Sequence, residues 1–268
     1  MATVNEVLGL IRGFAPEEYG YKKEYDNIGL MVGDGSDEVT RVVCCLDATT
    51  AVINEAVKLQ ANLIISHHPL IWNPLKSVTA DTVDGKRVLL AARNGINIYA
   101  AHTNLDFTRD GINEYLANAI GLRNVVPLDP YISAELGFGR VGDLSNKVFC
   151  SVLKGEIESI LKDNHVRIIG EPLTQIKRVA VINGGAGGDT AYIDMAKAAG
   201  ADCLVTADVR HHVAVYAYER GLTVIEPQHF NTEYVYIARL VQILRLEAKS
   251  SKLNIEIVQA ASETNPRF

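Results

Sequence analysis

An α/β fold of two similar lobes, arising from an internal duplication and built as mixed sheets covered by helices, is what this 268-residue sequence predicts. Three observations lead there. Short, β-branched apolar runs alternate with segments of helical spacing for most of the length. The order of these segments recurs in the second half. The pattern His102-Thr103-Asn104-Leu105-Asp106 returns 127 residues later as His229-Phe230-Asn231-Thr232-Glu233: histidine, any residue, asparagine, any residue, carboxylate.

The chain opens on MATVNEVLGLIRGF, whose apolar spacing suits a short amphipathic helix and lacks the basic start and cleavage site of a secretory signal. Arg41 to Leu46 is a strand, Thr50 to Leu59 a helix, and Ala61 to Ser66 a second strand ending in His67-His68-Pro69, which together make a βαβ unit. A looser stretch from Leu70 to Asp84 holds Pro74 and the single tryptophan, Trp72. A helix around Lys86 to Arg93 and a strand from Ile96 to Ala100 then deliver His102. Near-continuous apolar strands joined by helices imply sheets covered on both faces.

In the second half Arg178 to Ile182 stands for the first strand, followed by a glycine-rich turn and a helix from Tyr192 to Ala199. Ala201 to Thr206 matches Ala61 to Ser66. A helix from His212 to Glu219 and a strand from Leu222 to Ile225 lead to His229. The interval from Arg93 to His102 equals that from Arg220 to His229, nine residues each. A period this long exceeds the units of solenoids and reads as duplication of a whole lobe. Val125 to Asp143 holds Pro127, Pro130 and several glycines, a composition expected of a connection, so the lobes are placed at residues 1–125 and 126–268.

With 48% hydrophobic residues and a net charge of −6, the chain reads as an ordinary globular protein without the basic face that a nucleic-acid partner requires. No apolar run approaches the roughly 18–20 residues that span a bilayer, and a cytoplasmic location is expected. Cys44, Cys45, Cys150 and Cys203 lie mostly in strand-like runs without CxxC spacing, as small buried hydrophobes rather than disulfides or zinc ligands.

Six of the seven histidines fall at the C-terminal ends of the expected strands or at the start of the following helix, the edge where open α/β sheets bind ligands. His67, His68, His102, Asp106, His229 and Glu233 supply four imidazoles and two carboxylates, a donor set for zinc, iron, manganese or a similar divalent ion. That exceeds one tetrahedral site and suits two metals sharing a bridging carboxylate. Adjacent side chains on extended backbone point apart, so His67 and His68 are expected to serve one ion each. Three further features stay open on residues alone. Asn183 to Asp189, NGGAGGD, is either a phosphate cradle or a tight turn. Asp208, Arg210, His211 and His212 form a cluster that either relays protons or caps a helix. Asp26-Asn27 offers useful polar groups or simply a turn.

YDNIGLMVGD, ISHHPLIW, HTNLDF, TADVRHH and EPQHFNTE, in that order across nearly the full chain, resemble the NIF-three-like dinuclear-metal-centre proteins, often labelled GTP cyclohydrolase I type-2 homologues. The resemblance implies two intertwined α/β lobes, no inserted domain, and a homohexameric ring, a toroid formed as a trimer of dimers. It implies two divalent metal ions per chain. His68 and Asp106 would hold one ion, His67 and His229 the other, and Glu233 would bridge them. His102 would lie beside the metals and His212 would line the pocket, the two candidates for proton handling. Ala207 stands where such proteins often carry glycine. The implied activity is metal-dependent hydrolysis of a small, nucleotide-like substrate, with GTP as the named candidate; a non-catalytic metal-binding scaffold is the alternative.

Overall fold

The computed structural model describes residues 2–21 and 25–267. Its elements in chain order are β1 (Ala2–Thr3), α1 (Val4–Phe14), β2 (Gly29–Val32), β3 (Glu38–Val39), β4 (Arg41–Cys45), α2 (Thr50–Lys58), β5 (Leu63–Ser66), α3 (Val83–Arg93), β6 (Asn97–Ala100), α4 (Thr103–Phe107), α5 (Ile112–Ala119), β7 (Arg123–Asp129), β8 (Phe138–Phe149), α6 (Cys150–Leu161), β9 (Arg167–Ile169), β10 (Gln175–Val181), α7 (Ala191–Ala198), β11 (Cys203–Val205), α8 (His211–Glu219), β12 (Thr223–Glu226), α9 (His229–Ser250) and β13 (Glu256–Gln259). They fall into two compact units, residues 1–105 with 237–268, and residues 106–236. The chain changes unit within α4 and again within α9.

In the first unit five strands lie in the order β13-β4-β5-β6-β2. β13, β4, β5 and β6 run parallel, and β2 is antiparallel at the edge. Val43 and Cys45 of β4, Ile64 of β5 and Ile98 of β6 point to one face, where they pack with Val52, Ile53 and Ala56 of α2 and Ala91 of α3. The alternate residues Val42, Cys44, Leu63, Ile65 and Tyr99 are buried too, so the sheet is covered on both faces. α1 begins with a capping box in which Thr3 and Glu6 satisfy each other's backbone N–H groups.

In the second unit the order is β7-β8-β10-β11-β12-β9. β10, β11 and β12 are parallel, while β8 and β9 run antiparallel to their neighbours β10 and β12. The two units therefore share an arrangement: three parallel strands in chain order, with an earlier strand antiparallel beside the third. The segment expected to be a connection, Val125 to Asp143, is instead the β7–β8 hairpin of this unit. Pro130 and Gly137 flank its turn, and Gly137 has no room for a side chain against the main chain of Asp129 and Pro130. The units thus divide within α4 and α9 rather than at residue 125: β7, which contains that residue, pairs with β8 at the edge of the second sheet, and β13 returns to pair with β4 in the first.

All four cysteines are buried and unbridged. Burial pushes the Cys44 thiol up to about 12 and the Cys150 thiol up to about 11, which suits packing rather than metal or redox chemistry. Among the described residues no helix is long and apolar enough to cross a membrane.

Candidate metal centre

The first unit gathers three histidines at the C-terminal ends of β5 and β6. Sheet bonding continues past the strands: His67 N–H donates to Cys45 O at 3.0 Å, His68 N–H to Leu46 O at 2.9 Å and Ala101 N–H to Ser66 O at 2.8 Å. That extension fixes the backbone from which the rings project. Each ring then has its Nδ1 engaged. His67 Nδ1–H donates to Ala101 O at 2.9 Å, His68 Nδ1 pairs with Asp47 Oδ1 at 2.9 Å, and His102 Nδ1 pairs with Asp26 Oδ1 at 2.6 Å. Holding Nδ1 in this way orients an imidazole and leaves Nε2 as the ligand atom, the arrangement that metal-binding histidines adopt. The His67 ring centroid lies 5.1 Å from that of His68 and 5.1 Å from that of His102, and the three residues offer nitrogens within 4.8 Å of one another.

The carboxylates behind these rings are held in turn. Asp26 is buried and accepts from Asn27 N–H at 2.7 Å and from the Thr103 hydroxyl. Burial alone would raise its carboxyl pKa, but the hydrogen bond and charge of His102, with the bonds from Thr103 and Asn27, outweigh burial and hold it below the usual carboxylate range. Asp47 lies beside Glu263, which accepts from the N–H groups of Leu46 and Asp47 at 2.9 and 2.7 Å. Burial pushes the Glu263 carboxyl up to about 7 despite those bonds. Trp72 stands edge-on to His102, with ring centroids 5.4 Å apart.

The second unit contributes Asp106, His229 and Glu233. His229 begins α9 and Glu233 follows one turn later, so the i, i+4 spacing stacks them on one helix face with His229 Nε2 3.0 Å from Glu233 Oε2. His229 Nδ1 faces Asp208 Oδ2 at 2.7 Å. The pattern histidine, three residues, carboxylate is therefore helical in the second copy, and in the first it runs from His102, between β6 and α4, to Asp106 within α4, so both copies lie where a strand's exit passes into a helix. Asp106 and Glu233 are both buried, and Asn183 donates to Asp106 Oδ1 and Glu233 Oε1, each at 2.9 Å. Gly184, at φ +61°, lies directly against this pair: a Cβ there would overlap the Glu233 carboxylate and come within 3.2 Å of His229 Nε2.

The glycine-rich segment is a tight turn. Gly184 N–H donates to Thr232 Oγ1, and Gly187 N–H to Ala207 O, both at 3.0 Å, so these amides are committed within the protein. His211 and His212 are exposed in the first turn of α8, and among the described residues neither joins a group of metal-capable side chains. Among the residues that support these side chains, Asp47 is absent from the sequence reading, whereas Asp208 and Asn183 stand in it only as members of the histidine cluster and of the glycine-rich segment. Asp47 follows a strand and precedes the Thr49 cap of α2, where an acidic residue is unremarkable. Asp208 is the counterpart of His68 in the strand match, a signal that pointed to its place.

Imidazoles oriented through Nδ1 and carboxylates partly held by neutral donors fit divalent metal ions, because this donor set offers nitrogen and oxygen ligands with no competing cation among the bonds described above. The molecule thus falls in the class of mixed α/β proteins with histidine–carboxylate groups suited to metal at the strand ends. Residues 2–266 match the Duf34/NIF3 (NGG1p interacting factor 3) family, and the chain belongs to it. It is 33% identical to a Clostridium acetobutylicum protein named GTP cyclohydrolase 1 type 2 homolog, over 98% of this chain and 96% of the relative. A Lactococcus lactis protein of the same name is 35% identical over 95% of each chain. Among solved structures, a Bacillus cereus protein related to NIF3 superposes with a TM-score of 0.94 at 25% identity, covering 100% of this chain and 99% of that one. Reduced HcgD from Methanocaldococcus jannaschii gives 0.80 at 30% identity, covering 97% and 98%.

Proposed function

We propose that the two ligand groups serve one dinuclear divalent-metal centre and that the protein is a metal-dependent hydrolase acting on a nucleotide-like substrate. The observation that carries this reading is the shared treatment of four histidines, His67, His68, His102 and His229, each with Nδ1 engaged by a carbonyl or carboxylate oxygen, which makes Nε2 the candidate ligand atom. His67, His68, Asp106, His229 and Glu233 would hold two ions, zinc, iron, manganese or similar, with Glu233 shared. Bound there, such ions supply Lewis acidity and make water a usable nucleophile near neutral pH. His102 is the proton carrier: Asp26 fixes its Nδ1, so Nε2 is the nitrogen that exchanges a proton with substrate. His212, exposed at the start of α8, contacts bound substrate.

The names of the relatives point to GTP as the first substrate to try. Protein loaded with zinc or manganese is expected to release formate from GTP, and Glu233→Ala to abolish that release. Full activity in Glu233→Ala would place the chemistry elsewhere. Assembly as a homohexamer belongs to the same reading, and light scattering should return six times the mass of one chain. The family's description as an interacting factor supports a second reading, a metal-binding scaffold without turnover. Fully metal-loaded protein that turns over no nucleotide but retains a defined protein partner would favour it.

A further inference from the structure

Two buried carboxylates close to one another repel, and buried anions of this kind are ordinarily held by a cation. In the second unit the group between Asp106 and Glu233 is instead neutral. Asn183, just beyond β10 and 3% exposed, uses both protons of its Nδ2, one to Asp106 Oδ1 and one to Glu233 Oε1. Its Oδ1 is buried and accepts no hydrogen bond. Rotating the amide by half a turn would set that oxygen against two carboxylates, so the orientation is dictated by its neighbours. An amide left with an unused buried acceptor is poorly suited to a purely packing role.

The main chain repeats the same tie. Asn183 N–H donates to Asn113 Oδ1 at 2.8 Å, and Asn113 Nδ2 donates to the carbonyl of Asp106 at 3.1 Å. Gly184 N–H donates to Thr232 Oγ1, whose hydroxyl donates to His229 O at 2.7 Å. Asn183 and Gly184, just beyond β10, thus anchor both the end of α4 that carries Asp106 and the first turn of α9.

We propose that Asn183 is a positioning residue for the metal-liganding carboxylates: its amide ties Asp106 Oδ1 to Glu233 Oε1 and so fixes how the two carboxylates are turned. The inference rests on the reading that Asp106 and Glu233 are ligands. The choice of amide has a chemical reason. Lysine or arginine here would neutralise the carboxylates and oppose a dication, whereas asparagine supplies two hydrogen bonds and leaves the negative charge in place.

The test uses the full-length protein, cobalt(II), a chromophoric competing chelator and the visible spectrum of the cobalt-loaded form. Asn183→Leu, close in volume, is expected to weaken cobalt binding about 10- to 100-fold and to shift the d–d bands, as loss of an outer hydrogen bond to a ligand does. Asn183→Ser, which keeps one donor, should fall between it and the wild type and serves if the leucine variant does not fold. Thr206→Val removes another buried oxygen without a hydrogen-bond partner in the same unit and should leave affinity and spectrum unchanged. Wild-type affinity and spectrum in Asn183→Leu, alongside weakened binding in Glu233→Gln, would overturn the positioning role alone. Unchanged binding in Glu233→Gln as well would overturn the ligand assignment and this inference with it.

Discussion

Gly184→Ala separates two effects that usually arrive together. The residue sits at φ +61°, where an alanine costs about 1–2 kcal/mol in backbone strain. Its new Cβ would also overlap Glu233 Oε1, and that carboxylate cannot swing aside without giving up its bond from Asn183 or its approach to His229. Displacing one ligand should lower metal affinity by about 10- to 100-fold, or about 1.4–2.7 kcal/mol. Gly221 is the matched control, at φ +63° with no atom within 4 Å of where its Cβ would lie. Calorimetry in chelator should show both alanine variants melting lower, by about 2–4 °C for each kcal/mol lost. Competition with a chelator should then show metal affinity reduced in Gly184→Ala and intact in Gly221→Ala. Equal affinity in the two variants would refute the claim that Gly184 is glycine because the ligand pair lies against it.

Two further outcomes concern pH. Asp26 has a folded pKa below its unfolded value, so its ionised form stabilises the protein above about pH 3.9, and that contribution is lost as pH falls through the folded pKa. Asp26→Asn should therefore unfold at lower urea than the wild type at pH 7, with the gap closing toward pH 3; equal midpoints at pH 7 would contradict this. Glu263 has the opposite sign. Its folded pKa of about 7 exceeds the unfolded value, the folded protein binds more protons between about pH 4.3 and 7, and stability falls as pH rises through that window. Glu263→Gln should be more stable than the wild type at pH 8, on the order of 1 kcal/mol given the partial exposure of the group, and indistinguishable at pH 4.

The local parts of the fold were legible because local spacing decides them. The helix and strand cores of β4, α2, β5, β6, β10, β11 and β12 follow from apolar period, and parallel pairing follows from their alternation. What depended on distant partners was hidden. Nothing near Glu256 says that β13 completes a sheet by pairing with β4, and a proline- and glycine-bearing stretch reads as linker until β8 is seen beside β10. In the candidate site, histidines and carboxylates stood out by residue type and by position at strand ends. Their supports did not, since an aspartate before a helix cap or an asparagine opening a glycine turn has an ordinary local explanation. The spacing of His229 and Glu233 carried a signal read too weakly: i, i+4 is the interval that places two ligands on one helix face.

On the proposed reading the histidines and carboxylates together hold two ions. Elemental analysis of protein purified without added metal, then titrated with zinc or manganese and dialysed, counts them. About two equivalents per chain are expected for a shared dinuclear centre, falling when either His68 or Glu233 is replaced by alanine. No stoichiometric metal in the wild-type protein, or two equivalents undiminished in both variants, would contradict it.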